Sequence, residues 1–351
     1  MGILQIYEAD GRGVVSTRVC PLPDCQTAVV RKQVNGEYSL TATLPAGAVN
    51  INEAVFGRAV KAITDESGTE QYFIIKRRRR SLTGGLEIYA EHQSYYYSGV
   101  VVRGSAASTR YASLALYGII NAAKPSVTDL CDWSFMRSRN PQILATAVTQ
   151  PTPLRTLVLG WLIENYGGEI DWDGFNLTWA DQLGSDRGAF YRYGANMNDM
   201  EAEDILDNYV TGIYPYWGSI DPATDVGIVT IDDVVLDYPG IWPHKVYKPV
   251  NLTDKFETQP TSAQLKSAAQ DWMTANPAPG IPMSIRASRV RIYGDTPVGL
   301  GDTVRIVNTP WGIDTKVRVM ALTFDALRGA VTNVELGNIN PGFAGAVKNT
   351  K

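Results

Sequence analysis

A chain of 351 residues with 44% hydrophobic and 19% charged side chains has an ordinary globular balance, too long for one core at roughly 100–150 residues per domain and too apolar for disorder. Its formal net charge of −4 argues against a nucleic-acid binder of the usual basic kind. No apolar run reaches the roughly 18 residues that span a bilayer, and Met1-Gly2-Ile3-Leu4-Gln5 lacks the regions of a secretory signal, so the expectation is a chain made in the cytoplasm without stable membrane insertion.

In chain order, a β module comes first. Ala28 to Lys32 and Glu37 to Leu44 flank Asn35-Gly36, a dipeptide suited to a type I′ hairpin because both central residues must accept positive φ. Strands Gln71 to Lys76 and Leu86 to His92 follow, and the module closes near residue 100 after Tyr95-Tyr96-Tyr97. A helix then starts at Ser108 as N-cap, with Tyr111, Leu114, Ala115 and Gly118 on one stripe. A stronger one spans Pro153 to Tyr166, with Thr152 as N-cap, Pro153 at N1, and Leu154, Leu157, Val158, Trp161 and Leu162 on the apolar face. Gly167-Gly168 ends it by admitting the left-handed conformation. Glu169 to Trp172 and Phe175 to Trp179 make a hairpin around Asp173-Gly174.

From Ala195 the pattern predicts a short acidic helix over Met200 to Tyr209, strands near Ile213 to Trp217 and Val226 to Ile231, and a helix over Ser262 to Met273 with Leu265, Ala269, Trp272 and Met273 on one face, stopped before Asn276-Pro277. Ser288 to Tyr293, Asp302 to Val307, Lys316 to Phe324 and Thr332 to Leu336 are runs of β-branched residues separated by turn formers, and read as a closing antiparallel β module. The fold class is therefore α+β and multidomain.

Candidate chemistry is sparse. The only histidines are His92 and His244; His92 ends a strand whose inward residues are Leu86, Ile88 and Ala90, which suits a packed, hydrogen-bonded role. No GxSxG, HExxH or GxxxxGK[ST] motif is present. Asp171 and Asp173 could be paired carboxylates of a glycoside hydrolase with Trp172 and Trp179 stacking on sugar, yet Gly174 already explains Asp173 as a turn residue. As a calcium loop the stretch fails, because the twelfth position from Asp171 is Gln182. Cys20, Cys25 and Cys131 do not have knuckle spacing and read as reduced structural thiols, with a Cys20–Cys25 bridge open in an oxidising medium. No cofactor or metal is expected. Lys76-Arg77-Arg78-Arg79-Arg80 is the densest charge; strand alternation puts Arg77 and Arg79 opposite Lys76, Arg78 and Arg80. It reads either as a solvated strand end or as a contact with an acidic neighbouring subunit or with a DNA or protein cargo passing nearby. Tyr95, Tyr96 and Tyr97 read as aromatic strand packing or as a partner anchor.

Several of these segments, in order, carry a resemblance. Asn35-Gly36-Glu37-Tyr38-Ser39-Leu40, Gln71-Tyr72-Phe73-Ile74-Ile75, Ala90-Glu91-His92, Gly167-Gly168-Glu169-Ile170, Arg192-Tyr193-Gly194-Ala195-Asn196-Met197, Tyr209 to Pro215, Asn251 to Phe256, Leu300-Gly301-Asp302-Thr303-Val304, Thr323-Phe324-Asp325 and Val334-Glu335-Leu336-Gly337 together resemble the tail-tip and baseplate hub proteins of bacteriophages, the N-terminal hub region of tail-associated lysins, or prophage endopeptidase tail proteins. The resemblance implies a virion tail component assembled in the bacterial host cytoplasm: a homotrimeric ring of two β-barrels per subunit. That ring would adapt a sixfold tail tube to a threefold tip and gate DNA and tape-measure passage, with the distal tail protein, the tape-measure protein and other tail-tip proteins as partners. On that plan 1–100 is the first barrel, 195–245 with 286–340 a discontinuous second barrel, 101–194 and 246–285 are α/β inserts, and 341–351 is a tail. Ala28 to Leu44 and Lys316 to Leu336 should then hold equivalent places in two superposable barrels, and their pairing in one sheet would overturn the pseudo-sixfold ring. The short tail is too small for a lytic domain, so a non-enzymatic role is expected; a cell-wall hydrolase or glycan-binding tail protein is the alternative.

Overall fold

A computed structural model of the chain describes residues 2–103, 111–130, 133–136, 150–204, 210–218, 229–230, 235–238, 244–275, 283–289 and 296–339. They form two compact units, one of Met1–Glu201 with Ile285–Gly337 and one centred on Ala202–Ser284.

In the first unit seven strands open the chain: β1 (Leu4–Ala9), β2 (Val15–Leu22), β3 (Thr27–Gln33), β4 (Tyr38–Leu44), β5 (Ala59–Ile63), β6 (Glu70–Arg80) and β7 (Leu86–His92). Period-two alternation buries Leu40, Ala42 and Leu44 on β4 and Leu86, Ile88 and Ala90 on β7. The sheet runs Met197–Asp204, Met283–Arg289, Ala330–Ile339, Ile313–Asp325, β3, β4, β7, β6, β5, β1, β2, with Thr303–Asn308 and then Asp186–Arg192 continuing from Ile313–Asp325. The first and last modules are thus one sheet: Ala321 pairs with Gln33 and Asp325 with Val29, antiparallel. This overturns the expectation of two separate superposable barrels, and the pseudo-sixfold arrangement built on it is dropped; no closed barrel is found among the described residues. The physical reason is that β3 and Ile313–Asp325 present complementary free edges, and pairing them satisfies backbone groups that two separate modules would leave open.

Several local expectations shift. Of Asn35-Gly36 only Asn35 takes positive φ, at 52°; the Gln33 N–H bonds Glu37 O while the Val34 N–H goes to Met320 O, so the β3–β4 turn is longer than type I′. Pro153 lies at the N-cap rather than N1, because Thr152–Pro153 first pairs with Val101–Val102. The Leu154 N–H is met by Val100 O, and the Thr152 hydroxyl donates to Gln150 O instead of capping. Helical backbone then runs from Leu154 to Tyr166 with a widened π turn at Leu157–Leu162. The helix Ala112–Asn121 buries Ala112, Ala115, Leu116, Ile119 and Ile120, leaving Tyr111 and Leu114 of the expected stripe exposed; the expected cap Ser108 lies outside the described residues. Hairpin strands Glu169–Asp173 and Asn176–Ala180 turn at Gly174-Phe175, one residue later than expected. Of the helix expected over Met200 to Tyr209, residues 200–204 are instead the end of a strand, Met197–Asp204, which pairs with Met283–Arg289: a ladder partner overrides modest helical propensity; residues 205–209 lie outside the described residues. The expected strand ends at 226–228, 231 and 290–293 lie outside the described residues.

In the second unit Gly212–Trp217 pairs antiparallel with Val229–Thr230 and Leu236–Asp237 and parallel with Tyr247–Asn251. The helix Ser262–Ala275 covers them; Leu265 and Ala269 join Ile213, Tyr238, Val250 and Leu252 in its core. Thr261 and Gln264 form a reciprocal cap, the Gln264 N–H donating to Thr261 Oγ1 and the Thr261 N–H to Gln264 Oε1.

Candidate functional site

Two groups of charged residues in the first unit stand out, and local sequence sets each. β6 begins as an alternating strand that buries Gln71, Phe73 and Ile75. It does not stop at Lys76 as expected, because β7 offers a full ladder: Arg77 pairs with Tyr89, Arg78 with Ile88, Arg79 with Glu87 and Arg80 with Leu86. The register shifts between Ile75 and Arg77, which makes Lys76 the extra residue of a bulge and takes it out of the alternation. The expected split of the arginines holds beyond it. Arg77 and Arg79 share the face of Tyr89 and Glu87; Arg78 and Arg80 lie on the other.

These cations make few bonds. Arg77 sits 4.0 Å from the Tyr89 ring centre and Arg78 5.8 Å from that of Phe56, and Arg80 donates to Asn52 Oδ1 at 3.3 Å. Buried Arg78 Nε has no hydrogen-bond acceptor, and no described carboxylate makes an ion pair with any of Lys76 to Arg80. Two shallow concavities, about 530 and 550 Å³, lie along the strand; Phe56, Arg77, Arg79 and Tyr89 line one, Arg79, Arg80 and Leu82 the other. On its other side β6 is paired by β5 only from Glu70 to Ile74.

The second group is a polar joint around the hairpin Glu169–Ala180. Positive φ at Gly167 (68°) and Gly168 (91°) lets the helix end turn directly into the strand; a Cβ on Gly168 would stand 2.7 Å from Ala180 O. Asn35 then clamps the hairpin, donating to Gly168 O at 3.1 Å and accepting from the Ile170 N–H at 2.7 Å. Lys32 pairs with Asp171 at 2.5 Å; burial opposes its charge, but the carboxylate outweighs that and raises its pKa. Gln71 donates to Asp173 at 2.7 Å and accepts from the Gly174 N–H at 2.9 Å. Its Oε1 also lies 3.0 Å from His92 Nε2, while His92 Nδ1 faces the Ser94 N–H. An amide oxygen only accepts, so this network fixes the neutral Nε2–H tautomer. Complete burial, then the charges of Lys32 and Arg155, hold His92 well below its ordinary pKa. Arg155, only 6% exposed, donates to Gly36 O at 2.9 Å and stacks 3.9 Å from the Tyr95 ring centre.

On its far side the hairpin is bolted by Glu169, which takes a bidentate Arg318 at 2.6 and 2.7 Å plus the Leu183 N–H at 2.7 Å. Burial works against the Glu169 charge, but Arg318 and Leu183 outweigh it and lower the pKa. A cleft of about 410 Å³ opens beside the joint, lined by Lys32, Asp65, Asp171, Asp173, Arg187 and Asp302 among others. Its carboxylates are taken: Asp65 by Ser67 and Thr69, Asp302 by the Ser185 and Gly299 N–H groups, Asp171 and Asp173 as above.

The other candidates resolve simply. Tyr95, Tyr96 and Tyr97 lie on a 3₁₀ turn, Gln93–Ser98, rather than a strand. Tyr97 is fully buried and donates to Phe175 O; Tyr95, half-buried, carries Arg155, and Tyr96, half-buried, meets the Phe175 ring edge-on. Cys20 and Cys25 are free thiols, with burial pushing Cys25 up to about 11; Cys131 lies outside the described residues. His244 is exposed. No group of three or more metal-ligating side chains occurs among the described residues, and no described helix is long and apolar enough to cross a membrane. Sequence reasoning missed Asn35, Arg155, Glu169 and Arg318 as joint residues; a lone basic residue on an apolar helix face, as Arg155 is, was the available signal.

Residues 185–345 match the model of the Prophage endopeptidase tail family. No curated protein matches the chain in sequence. Among solved structures, the fold is similar to prophage tail protein gp18 from Listeria monocytogenes EGD-e, with TM-score 0.57 and 15% identity over 99% of this chain and 98% of that one. It is also similar to the tail protein from Neisseria meningitidis MC58, with TM-score 0.53 and 12% identity over 96% and 97%. The 43 kDa tail protein of prophage MuSo2 from Shewanella oneidensis gives TM-score 0.52 and 9% identity over 97% and 98%. The resemblance read from the sequence, to bacteriophage and prophage tail proteins, is the one these comparisons return.

Proposed function

We propose that the chain is a structural component of a phage or prophage tail, a tail-tip hub that acts by assembly rather than by bond chemistry. The observation that carries this is the likeness to tail proteins along nearly the whole chain, together with the family match over 185–345. The polar joint supports it from the other side. Asp171 and Asp173, the residues read from the sequence as most suited to hydrolysis, are bound to Lys32 and Gln71, so this pair is not free for one carboxyl to protonate while the other attacks.

In the finer reading the chain closes as a homotrimer around the tail axis, contacts the distal tail and tape-measure proteins, and lets tape measure and DNA pass. Threefold closure needs a heterologous interface whose rotation closes and should bury well over roughly 1,000 Å² per contact. Imaging of assembled tail tips tests it: three copies around the axis support the hub, and six would make the chain a tube component. The hydrolase alternative is tested by incubating the purified chain with peptidoglycan; turnover abolished by Asp171→Asn or Asp173→Asn would overturn the non-enzymatic reading.

A further inference from the structure

We infer that the Arg77–Arg80 end of β6 is a strand-addition site for an acidic, extended segment of another protein. Four observations converge. β5 pairs as far as Ile74 and the backbone of Ile75 still bonds Gly57 and Arg58; beyond the bulge, one edge of β6 has no strand of the described residues against it. The Ser81 N–H bonds Gly85 O, and antiparallel ladders alternate; the main-chain groups of Arg78 and Arg80 therefore point to that open edge. Side chains on both faces of the stretch are cationic and lack ion-pair partners among the described residues. Phe56, 62% exposed, and Leu82, fully exposed, offer apolar contacts in the adjoining concavities.

An open edge invites another strand, and charge decides which one. A second copy of this edge would bring arginine against arginine, so self-pairing is opposed. A strand with carboxylates facing the arginines gains main-chain hydrogen bonds and ion pairs together, the arrangement by which extended peptides add to sheets. Nucleic acid fits less well. Glu87 stands beside Arg79 on the outer face, and edge carbonyls repel phosphate where they would accept from a peptide N–H. The inference deepens the assembly reading and rests on it for the partner's presence in a tail, but it is tested on the chain alone.

The experiment is fluorescence anisotropy of the full chain with a labelled peptide of about eight alternating glutamate and valine residues, long enough to cover the open edge at about 3.3 Å per residue. Comparators are the same peptide N-methylated at alternate amides, its lysine analogue, and a single-stranded DNA of equal charge. The expected result is saturable binding of the glutamate peptide, weakened about tenfold or more by N-methylation or by Arg77→Glu with Arg79→Glu, and weaker at higher salt. Circular dichroism checks that the double variant keeps its fold, and the N-methylated peptide tests the edge with the protein unaltered. Equal binding of the N-methylated peptide, or DNA bound as tightly with the same dependence on Arg77 and Arg79, would overturn strand addition in favour of a plain basic patch. No binding of the glutamate peptide would overturn the site without touching the tail assignment, which particle imaging decides.

Discussion

Lys32, Arg155 and Arg318 on one hand, and Arg77 to Arg80 on the other, place the same side-chain chemistry in two settings within one unit. Around the hairpin Glu169–Ala180 each cation has a partner fixed by geometry: Lys32 has Asp171, Arg318 has both oxygens of Glu169, and Arg155 has Gly36 O and an aromatic face. Along β6 the cations outnumber their partners, with ring contacts and one amide in place of carboxylates. Half-buried charge that is fully satisfied rigidifies a structure and is costly to disturb. Exposed charge without partners adds little to the fold, so a run of it needs another reason to be there. Joint variants should therefore lower stability, and edge variants should lower binding.

The largest effect is expected from Gly184→Ala. Gly184 takes φ of +70°, and a Cβ there would lie 2.2 Å from Gly301 C and 2.3 Å from Asp302 N, backbone atoms that cannot swing away. Displacing them pulls at the Ser185–Asp302 bond and at Gly301 O, which accepts from Arg318. A loss of about 3 kcal/mol or more is expected, read as a shift of the denaturant midpoint; a midpoint near wild type would mean that this side of the joint is slack.

Glu169→Ala comes next. It takes the counter-charge from Arg318, which keeps only the Gly301 and Leu183 carbonyls, and frees the Leu183 N–H, which should cost about 2–3 kcal/mol. Arg155→Met keeps much of the volume but leaves Gly36 O without its donor, for about 1–3 kcal/mol. If the double variant loses only the sum of the two, the faces of the hairpin act independently; a smaller combined loss would show that breaking one releases the other.

Acid should weaken the joint through His92 and Glu169 in the same direction. His92 lies well below its ordinary value of 6.5 in the folded state, so the unfolded chain binds the extra proton; its contribution is complete above pH 6.5 and is lost as pH falls below it. Protonation would also set an Nδ1–H against the Ser94 N–H. Glu169 is lowered from 4.5, so its share is present above that value and is lost as pH drops through its folded pKa. Stability followed from pH 7.5 down to pH 4 should fall, with a first slope below pH 6.5 that His92→Gln removes.

How much of this could be read in the sequence follows the range of the interactions. Leu86 to His92 was legible to its ends, because alternation and a following turn are local. The helix Ser262–Ala275 was nearly so, since its apolar face and its stop before Pro277 are local as well. Its Thr261–Gln264 cap was equally visible but went unread. Beyond reach was anything decided by a distant strand: the extension of β6 through Arg80 depends on β7, the strand at Met197–Asp204 on Met283–Arg289, and the single sheet on pairing across some 290 residues of sequence, Ala321 with Gln33. At the joint, Asp171 and Asp173 look like a catalytic pair until Lys32 and Gln71 arrive from another part of the chain.

The smallest stability effect, and the most informative, is expected from Arg77→Glu with Arg79→Glu. Both side chains are exposed, and their nearest fixed contacts are the Tyr89 ring and the cross-strand Glu87. Reversal removes one cation–π contact and sets two like charges beside Glu87, effects that solvent and salt largely screen at a surface. The denaturant midpoint should stay close to wild type under conditions in which that of Glu169→Ala drops, while binding of the alternating glutamate peptide falls about tenfold or more. A midpoint shift as large as that of Glu169→Ala would erase the contrast between the two regions: the basic run would then be part of the scaffold, and its lack of carboxylate partners would no longer point to another protein.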